Sequence, residues 1–285
     1  MFDAFEPAFM QRALLAGLLA VVATSVIGTW VVLRGLAFLG DALSHGVIPG
    51  IALAVLLDFS PIIGALLAAT MMAALVSLIS ADSTVREDTG IGLLFVGMLS
   101  LGIVIISKAR SFATEVTSLL FGDVLGVTRG DLVNQAVATV IVLVVGAGLY
   151  RPFLALTFNA QKARTLGMRP DLAHIAMMVL LAISIVSSFQ AVGTLLVFGL
   201  LIGPPATASL LTARVPAMML VSMLFGSVAV IAGLMISFHW GTAGGATMAG
   251  LSVAQFFAIL LVIRVSRLIR RPETLDELVD APATS

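Results

Sequence analysis

The sequence predicts an all-α polytopic membrane protein with eight or nine transmembrane helices, and three observations predict it. Of the 285 residues, 60% are hydrophobic and only 11% are charged, whereas about 25% of the residues in a soluble domain are charged. The mean hydropathy is +1.16. The few charges leave uncharged runs far longer than the roughly 9–11 residues of a transmembrane β-strand. This composition excludes a soluble enzyme, a nucleic-acid-binding protein and a disordered chain.

The uncharged runs place the individual helices. A membrane helix needs about 20 apolar residues, with a range of roughly 17–25, so five runs fit one span each and the last two fit two spans each. We place the turns within these two at the polar segments 187–190 and 239–242. The runs are 13–33, 42–57, 59–81, 89–107, 132–150, 172–213 and 215–263. Nine spans result, or eight if the short run 42–57 does not cross fully.

Lysine and arginine predict the orientation, because cytoplasmic loops carry the excess of both residues. With nine spans and a cytoplasmic C-terminus, eleven of the 15 Lys and Arg residues fall inside and four fall outside. We therefore expect the N-terminus outside and the C-terminus in the cytoplasm, with Lys108 and Arg110 as the discordant pair. Residues 1–271 are expected to form a single transmembrane domain, and the acidic segment 272–285 a mobile cytoplasmic tail.

Two absences in the sequence narrow the chemistry. The chain has no cysteine, which excludes disulfides, thiolate metal sites and cysteine nucleophiles. It also has no G-x-x-x-x-G-K-[ST] motif, so it does not bind ATP through a P-loop. If ATP drives transport here, another chain supplies the ATPase.

Asp41 and His45 are the most informative polar residues. Their spacing of i,i+4 places a carboxylate and an imidazole one helical turn apart on the same face. Both groups are ordinary ligands of divalent first-row metals. An Asp within the membrane costs at least about 2.5–3.5 kcal/mol and is usually functional. In the alternative interpretation Asp41 caps the helix and His45 makes a structural hydrogen bond, and the spacing alone does not separate the two.

The segment 151–171 is the longest basic loop. Asn159 can cap the N-terminus of a short helix, and Gly167 can end it. A short amphipathic helix in a cytoplasmic loop suits docking onto a soluble partner, and we favour this over a loop that is basic only because it lies inside.

Two further sequence features can each be interpreted in two ways. The prolines in Gly203-Pro204-Pro205 are expected to interrupt their helix, either as a break that lines a transport pathway or as a kink packed through small residues. His239 lies in an outer turn beside Trp240. It is a weak candidate for meeting an arriving metal ion, and an ordinary interfacial position is favoured.

From about residue 10 to residue 265, the chain resembles the permease subunits of bacterial zinc, manganese and iron ABC importers, the ABC-3 family. The first of the matching blocks is specific, and the others support it in the right order. The blocks are Leu33-Arg34 with 37–45 (AFLGDALSH), 87–92 (EDTGIG), 120–123 (LFGD), Ala163 with Gly167, and 203–206 (GPPA). The resemblance implies an all-helical permease that works as a dimer with two ATPase subunits and an extracytoplasmic metal-binding protein.

The resemblance also implies roles for particular positions. The family's Asp-x-x-x-His pair, implicated in passing the metal through the membrane, falls on Asp41 and His45. Its coupling helix, which contacts the ATPase through an Ala-x-x-x-Gly signature, falls on Ala163 and Gly167. In this chain Asn159 and Gln161 stand where family members often have carboxylates. We therefore expect the coupling helix at this location, but without ion pairs from these two positions to the ATPase. The coupling residues are expected to be Asn159, Ala163, Arg164 and Gly167.

The predicted function is that of a permease subunit that passes Zn²⁺ or Mn²⁺, with Fe²⁺ as a third candidate, from the binding protein to the cytoplasm. It is expected to lie in the bacterial cytoplasmic membrane and to hold no permanent cofactor. Two rivals remain at this stage: a proton-coupled secondary transporter that uses Asp41, and a structural membrane subunit without transport. Dependence of uptake on a co-expressed ATPase tests the first, and metal-stimulated ATPase activity of the complex tests the second.

Overall fold

The structure is a computed structural model that describes residues 6–81, 87–107, 126–158, 164 and 169–269. The tail 272–285 lies outside these ranges. Within the described residues the regular secondary structure is α-helical. The helices are α1 (Ala8–Leu33), α2 (Ala37–Gly46), α3 (Ile48–Leu56), α4 (Pro61–Ala81), α5 (Glu87–Ile106), α6 (Arg129–Gly148), α7 (Tyr150–Phe158), α8 (Pro170–Leu211), α9 (Val215–Trp240) and α10 (Gly244–Ile269).

Eight helical segments of the described chain are long and apolar enough to cross a membrane, which confirms the predicted eight or nine. The helices α2 and α3 count as one of these segments, Ala37–Leu56, and meet at Val47. The shorter apolar helix is instead Leu196–Leu211, in the second half of α8. The uncertain span is therefore this half of α8 and not the run 42–57.

Helix α8 folds back on itself at Gly193, its one residue with non-helical dihedral angles (φ 78°, ψ 161°). Arg34 contacts His174 in the first half of α8, and Gly28 packs on Leu201 in the second half. Arg34 and Gly28 are about 9 Å apart along α1, whereas His174 and Leu201 would be about 40 Å apart in a straight helix. The two halves therefore run in opposite directions.

The predicted turn at residues 187–190 is wrong by a few residues, because serine hydroxyls do not break a helix inside a membrane protein. Ser187 and Ser188 are helical. The Ser187 hydroxyl donates to the Ser184 carbonyl (3.2 Å), and buried Ser188 accepts a hydrogen bond of 3.0 Å from Gln135 of α6. Both hydroxyls form hydrogen bonds within the helix bundle, and the turn lies at Gly193 instead. The second predicted turn, at 239–242, is confirmed: α9 ends in left-handed Gly241 (φ 66°).

We expect the substitution Gly193→Ala to destabilise the protein. Residues other than glycine are essentially absent from the region of φ/ψ space that Gly193 occupies, and such strain costs on the order of 1–3 kcal/mol. Thermal unfolding of the purified protein in detergent measures the effect. Gly250→Ala is the control, because an added Cβ at Gly250 meets nothing within 4 Å; an equal loss of stability in both variants would contradict the role of the turn.

The predicted helix break at Gly203-Pro204-Pro205 is also wrong, because α8 remains helical through all three residues. Pro205 has no N–H to donate to the Leu201 carbonyl four residues earlier. That carbonyl instead lies against the backbone of Gly28 in α1, where a Cβ would overlap it. Gly203 packs equally closely against α10, since an added Cβ at Gly203 would overlap Ser252. Of the two readings, the structure favours the packing of small residues between helices.

Helix α1 lies at the centre of the bundle and packs against α6, α8 and α9. Trp30, near its C-terminus, is fully buried. The indole meets the rings of Tyr150 and Phe153 of α7 edge to face, with centroids 5.6 and 5.7 Å apart. These contacts fix α7 onto the end of α1. The helix α7 forms the first part of the segment 151–171 that is predicted to dock on a partner.

Candidate functional site

The connection between α1 and α2 is a Schellman motif. The Gly35 N–H donates to the Val32 carbonyl (3.0 Å), and the Leu36 N–H donates to the Val31 carbonyl (2.9 Å). Gly35 has φ 69°, a left-handed conformation that glycine adopts without strain. Because these bonds fix the turn, the end of α1 sets the direction of α2.

Helix α2 carries Asp41 and His45 on one face, as the spacing predicted. The His45 Nε2 lies 3.5 Å from the Asp41 Oδ1. The two side chains are 25% and 27% exposed, so both are partly buried. Neither serves as a helix cap, since α2 begins at Ala37 with no side-chain cap.

The separation of these two atoms fits a shared metal ion. Metal–nitrogen and metal–oxygen bonds to His and Asp are about 2.0–2.2 Å long. An ion at that distance from both atoms, which are 3.5 Å apart, would be held with an N–metal–O angle of about 110°. A metal ion and a proton would compete for the His45 Nε2, because only a deprotonated nitrogen binds a metal.

The rest of the His45 ring is held by α5. The ring meets Phe95 edge to face with centroids 5.8 Å apart, and Phe95 meets Phe38 of α2 in the same way at 5.9 Å. The buried Nδ1 atom of His45 has no hydrogen-bond partner among the described residues. Aromatic packing, and not a hydrogen bond from Nδ1, therefore orients this imidazole.

The pair does not form a complete metal site within the part of the chain that the structure describes. No group of three or more His, Asp or Glu side chains comes together there. Two ligands bind an ion weakly, and water or a second chain must supply the others. Weak binding suits an ion that has to leave again.

His239, the weak candidate, lies at the end of α9 and is exposed. Its Nδ1–H donates to the Met235 carbonyl (2.8 Å), and its ring packs on Phe238. It joins no group of metal-ligating side chains among the described residues. The arrangement is that of a polar residue at a helix end.

Most of the predicted coupling segment lies outside the described residues, including Asn159, Ala163 and Gly167. Arg164 is described: its Nη2 donates to the Asp171 Oδ1 at 2.9 Å, between two exposed side chains. Arg164 is therefore tied to the first turn of α8 by an ion pair.

The structure adds a contact that the sequence reasoning missed. Arg34, at the end of α1, places its Nη1 3.0 Å from the Nδ1 of His174 in α8 and 3.8 Å from the Met177 sulfur. His174 lies near the start of the uncharged run 172–213. The available signal was that it is one of three histidines and lies at the basic end of a span.

Comparisons with known proteins agree with this architecture. "Manganese transport system membrane protein MntC" of Halalkalibacterium halodurans is 38% identical over 251 residues, which cover 88% of this chain and 86% of that protein. "Probable iron transport system membrane protein" of Haemophilus influenzae is 35% identical over 253 residues, 89% of this chain and 93% of that protein.

A solved structure and a family model also match this chain. The structure of "PsaBC from Streptococcus pneumoniae in complex with Fab" contains a chain that superposes with a TM-score of 0.80 at 31% identity, covering 89% of this chain and 91% of that one. The family model described as "ABC 3 transport family" matches residues 6–263, nearly the whole chain including the Asp41–His45 pair. The chain therefore belongs to the ABC 3 transport family.

Proposed function

We propose that the chain is the permease subunit of an ATP-driven importer of divalent transition metal ions, and that Asp41 and His45 hold the ion during its passage. The observation that carries the proposal is a carboxylate and an imidazole 3.5 Å apart inside a helix pair long and apolar enough to cross a membrane. Membership of a transport family supports it.

For the cargo we propose Mn²⁺ or Fe²⁺. Similar relatives carry manganese or iron in their names. Zn²⁺, which the sequence analysis placed first with Mn²⁺, is the weaker candidate because these names do not include it. A mixed carboxylate and imidazole pair suits all three ions, and affinity order alone does not decide selectivity.

The proposal includes partner chains. Two copies of an ATPase subunit supply ATP hydrolysis, an extracytoplasmic binding protein delivers the ion, and a second permease protomer completes the pathway. The incomplete ligand set supports the second protomer, because an Asp41–His45 pair from each copy would bring four ligands together. We also propose the orientation given above, with the N-terminus outside, the loop 151–171 and the C-terminus in the cytoplasm, and His239 on the outer surface without a role in binding.

Metal uptake in cells tests this function. We expect cells that express the permease with its ATPase and binding protein to accumulate Mn²⁺ or Fe²⁺ from metal-poor medium, measured by elemental analysis. A matched strain that carries an ATPase variant unable to hydrolyse ATP should not. Accumulation that persists in that strain would indicate a secondary transporter instead, and an absence of metal-specific accumulation in both strains would contradict metal import.

A further inference from the structure

We propose that the first turn of α8 is a mechanical link between the coupling loop and the metal-carrying helix α2, with Arg34 and His174 as its positioning residues. This inference rests on the proposed function, because it concerns how movement driven by the ATPase reaches Asp41 and His45. It is carried by two contacts, made by two residues of the same helical turn.

The first contact joins the coupling loop to α8. The Arg164 Nη2 donates to the Asp171 Oδ1 at 2.9 Å, and the side chains are 66% and 76% exposed. Ion pairs this exposed contribute little to stability. The contact therefore holds Arg164 against the first turn of α8 without locking it there.

The second contact joins α8 to the end of α1. His174 follows Asp171 by three residues, so the two side chains arise from the same turn. The Nη1 of Arg34 lies 3.0 Å from the Nδ1 of His174 in a partly buried position. A guanidinium group is only a donor, so the Nδ1 of His174 accepts and the neutral ring carries its proton on Nε2. The bond has a defined direction as well as a defined length.

From Arg34 the connection to α2 is short and stiff. Arg34 directly precedes the two residues whose N–H groups close the Schellman motif, and α2 begins only three residues after Arg34. At the next turn, Gly40 packs so closely on Leu201 of α8 that a Cβ would lie 2.7 Å from its Cδ2 atom. A shift of the first turn of α8 therefore reaches α2 through its incoming turn. The contact at Gly40 separately ties α2 to the second half of α8.

The test measures coupling and not only transport. The complete importer is reconstituted in proteoliposomes, and Mn²⁺ uptake is divided by ATP hydrolysed. We expect Arg34→Gln and His174→Leu each to lower this ratio by about fivefold or more. The double variant should be no worse than the worse single variant, because the contact between Arg34 and His174 is already lost in each single variant. His174→Gln, which retains an acceptor, should keep most of the ratio.

The control is Arg267→Gln, which removes an exposed arginine from the last turn of α10 and should leave the ratio unchanged. An unchanged ratio in both single variants, or losses that multiply in the double variant, would overturn the proposal. So would loss of co-purification with the ATPase in both single variants, since the pair would then serve assembly. A wild-type importer that takes up no metal would refute the proposed function and not this link.

Discussion

Replacing Asp41 and His45 together by alanine is expected to abolish metal uptake while the permease still folds and assembles with its partners. In the proposed role each side chain supplies one ligand atom, and without them a divalent ion that sheds part of its water finds neither the carboxylate nor the imidazole of α2 to replace it. Uptake of Mn²⁺ by proteoliposomes containing the complete importer is expected to fall by at least about 100-fold, beyond the 10–100-fold that follows loss of a residue that only supports a ligand.

The stability of the same variant separates function from structure. A carboxylate inside the membrane costs at least about 2.5–3.5 kcal/mol, so its removal should leave the thermal stability in detergent unchanged or higher. Asp58→Asn is the matched control: Asp58 is an exposed carboxylate at φ 61°, a conformation that asparagine tolerates. Normal uptake by the double variant would end the metal-ligand hypothesis, and a loss of stability would assign the pair a structural role.

The spacing of charges predicted most of the fold because the physics behind it is local. A charged side chain is expensive in the bilayer wherever it stands, so uncharged runs mark helices without knowledge of their neighbours. The i,i+4 spacing of Asp41 and His45 is local in the same sense, since it needs only that their segment be helical. These predictions hold in the structure.

The predictions that failed needed knowledge of a packing partner. Ser188 is polar enough to suggest a turn, but Gln135 of another helix satisfies it. Pro204 and Pro205 suggest a break, but Gly28 of α1 covers the carbonyl that Pro205 leaves without a donor. Sequence spacing does not show which distant residue will supply such compensation. For the same reason the contact between Arg34 and His174, 140 residues apart, could not be predicted.

The close approach of α1 and α8 provides the second large expected effect, through Gly28→Leu. An added Cβ would overlap the Leu201 carbonyl oxygen and lie 3.0 Å from the Pro205 Cγ. The obstacle is backbone and a proline ring, neither of which can rotate away, so the helices must separate. Overpacking a core usually costs about 1–3 kcal/mol, and we expect this substitution to reach at least the upper end of that range.

Gly250→Leu makes the same chemical change where nothing lies within 4 Å of an added Cβ. A loss of about 3 kcal/mol corresponds to a fall in melting temperature of about 6–12 °C for a chain of this size class. We expect Gly28→Leu to fall by at least this much in detergent, or not to accumulate as folded protein, and Gly250→Leu to stay close to wild type. Equal melting temperatures for the two variants would show that α1 and α8 are not packed at Gly28 as closely as the overlap with the Leu201 carbonyl requires.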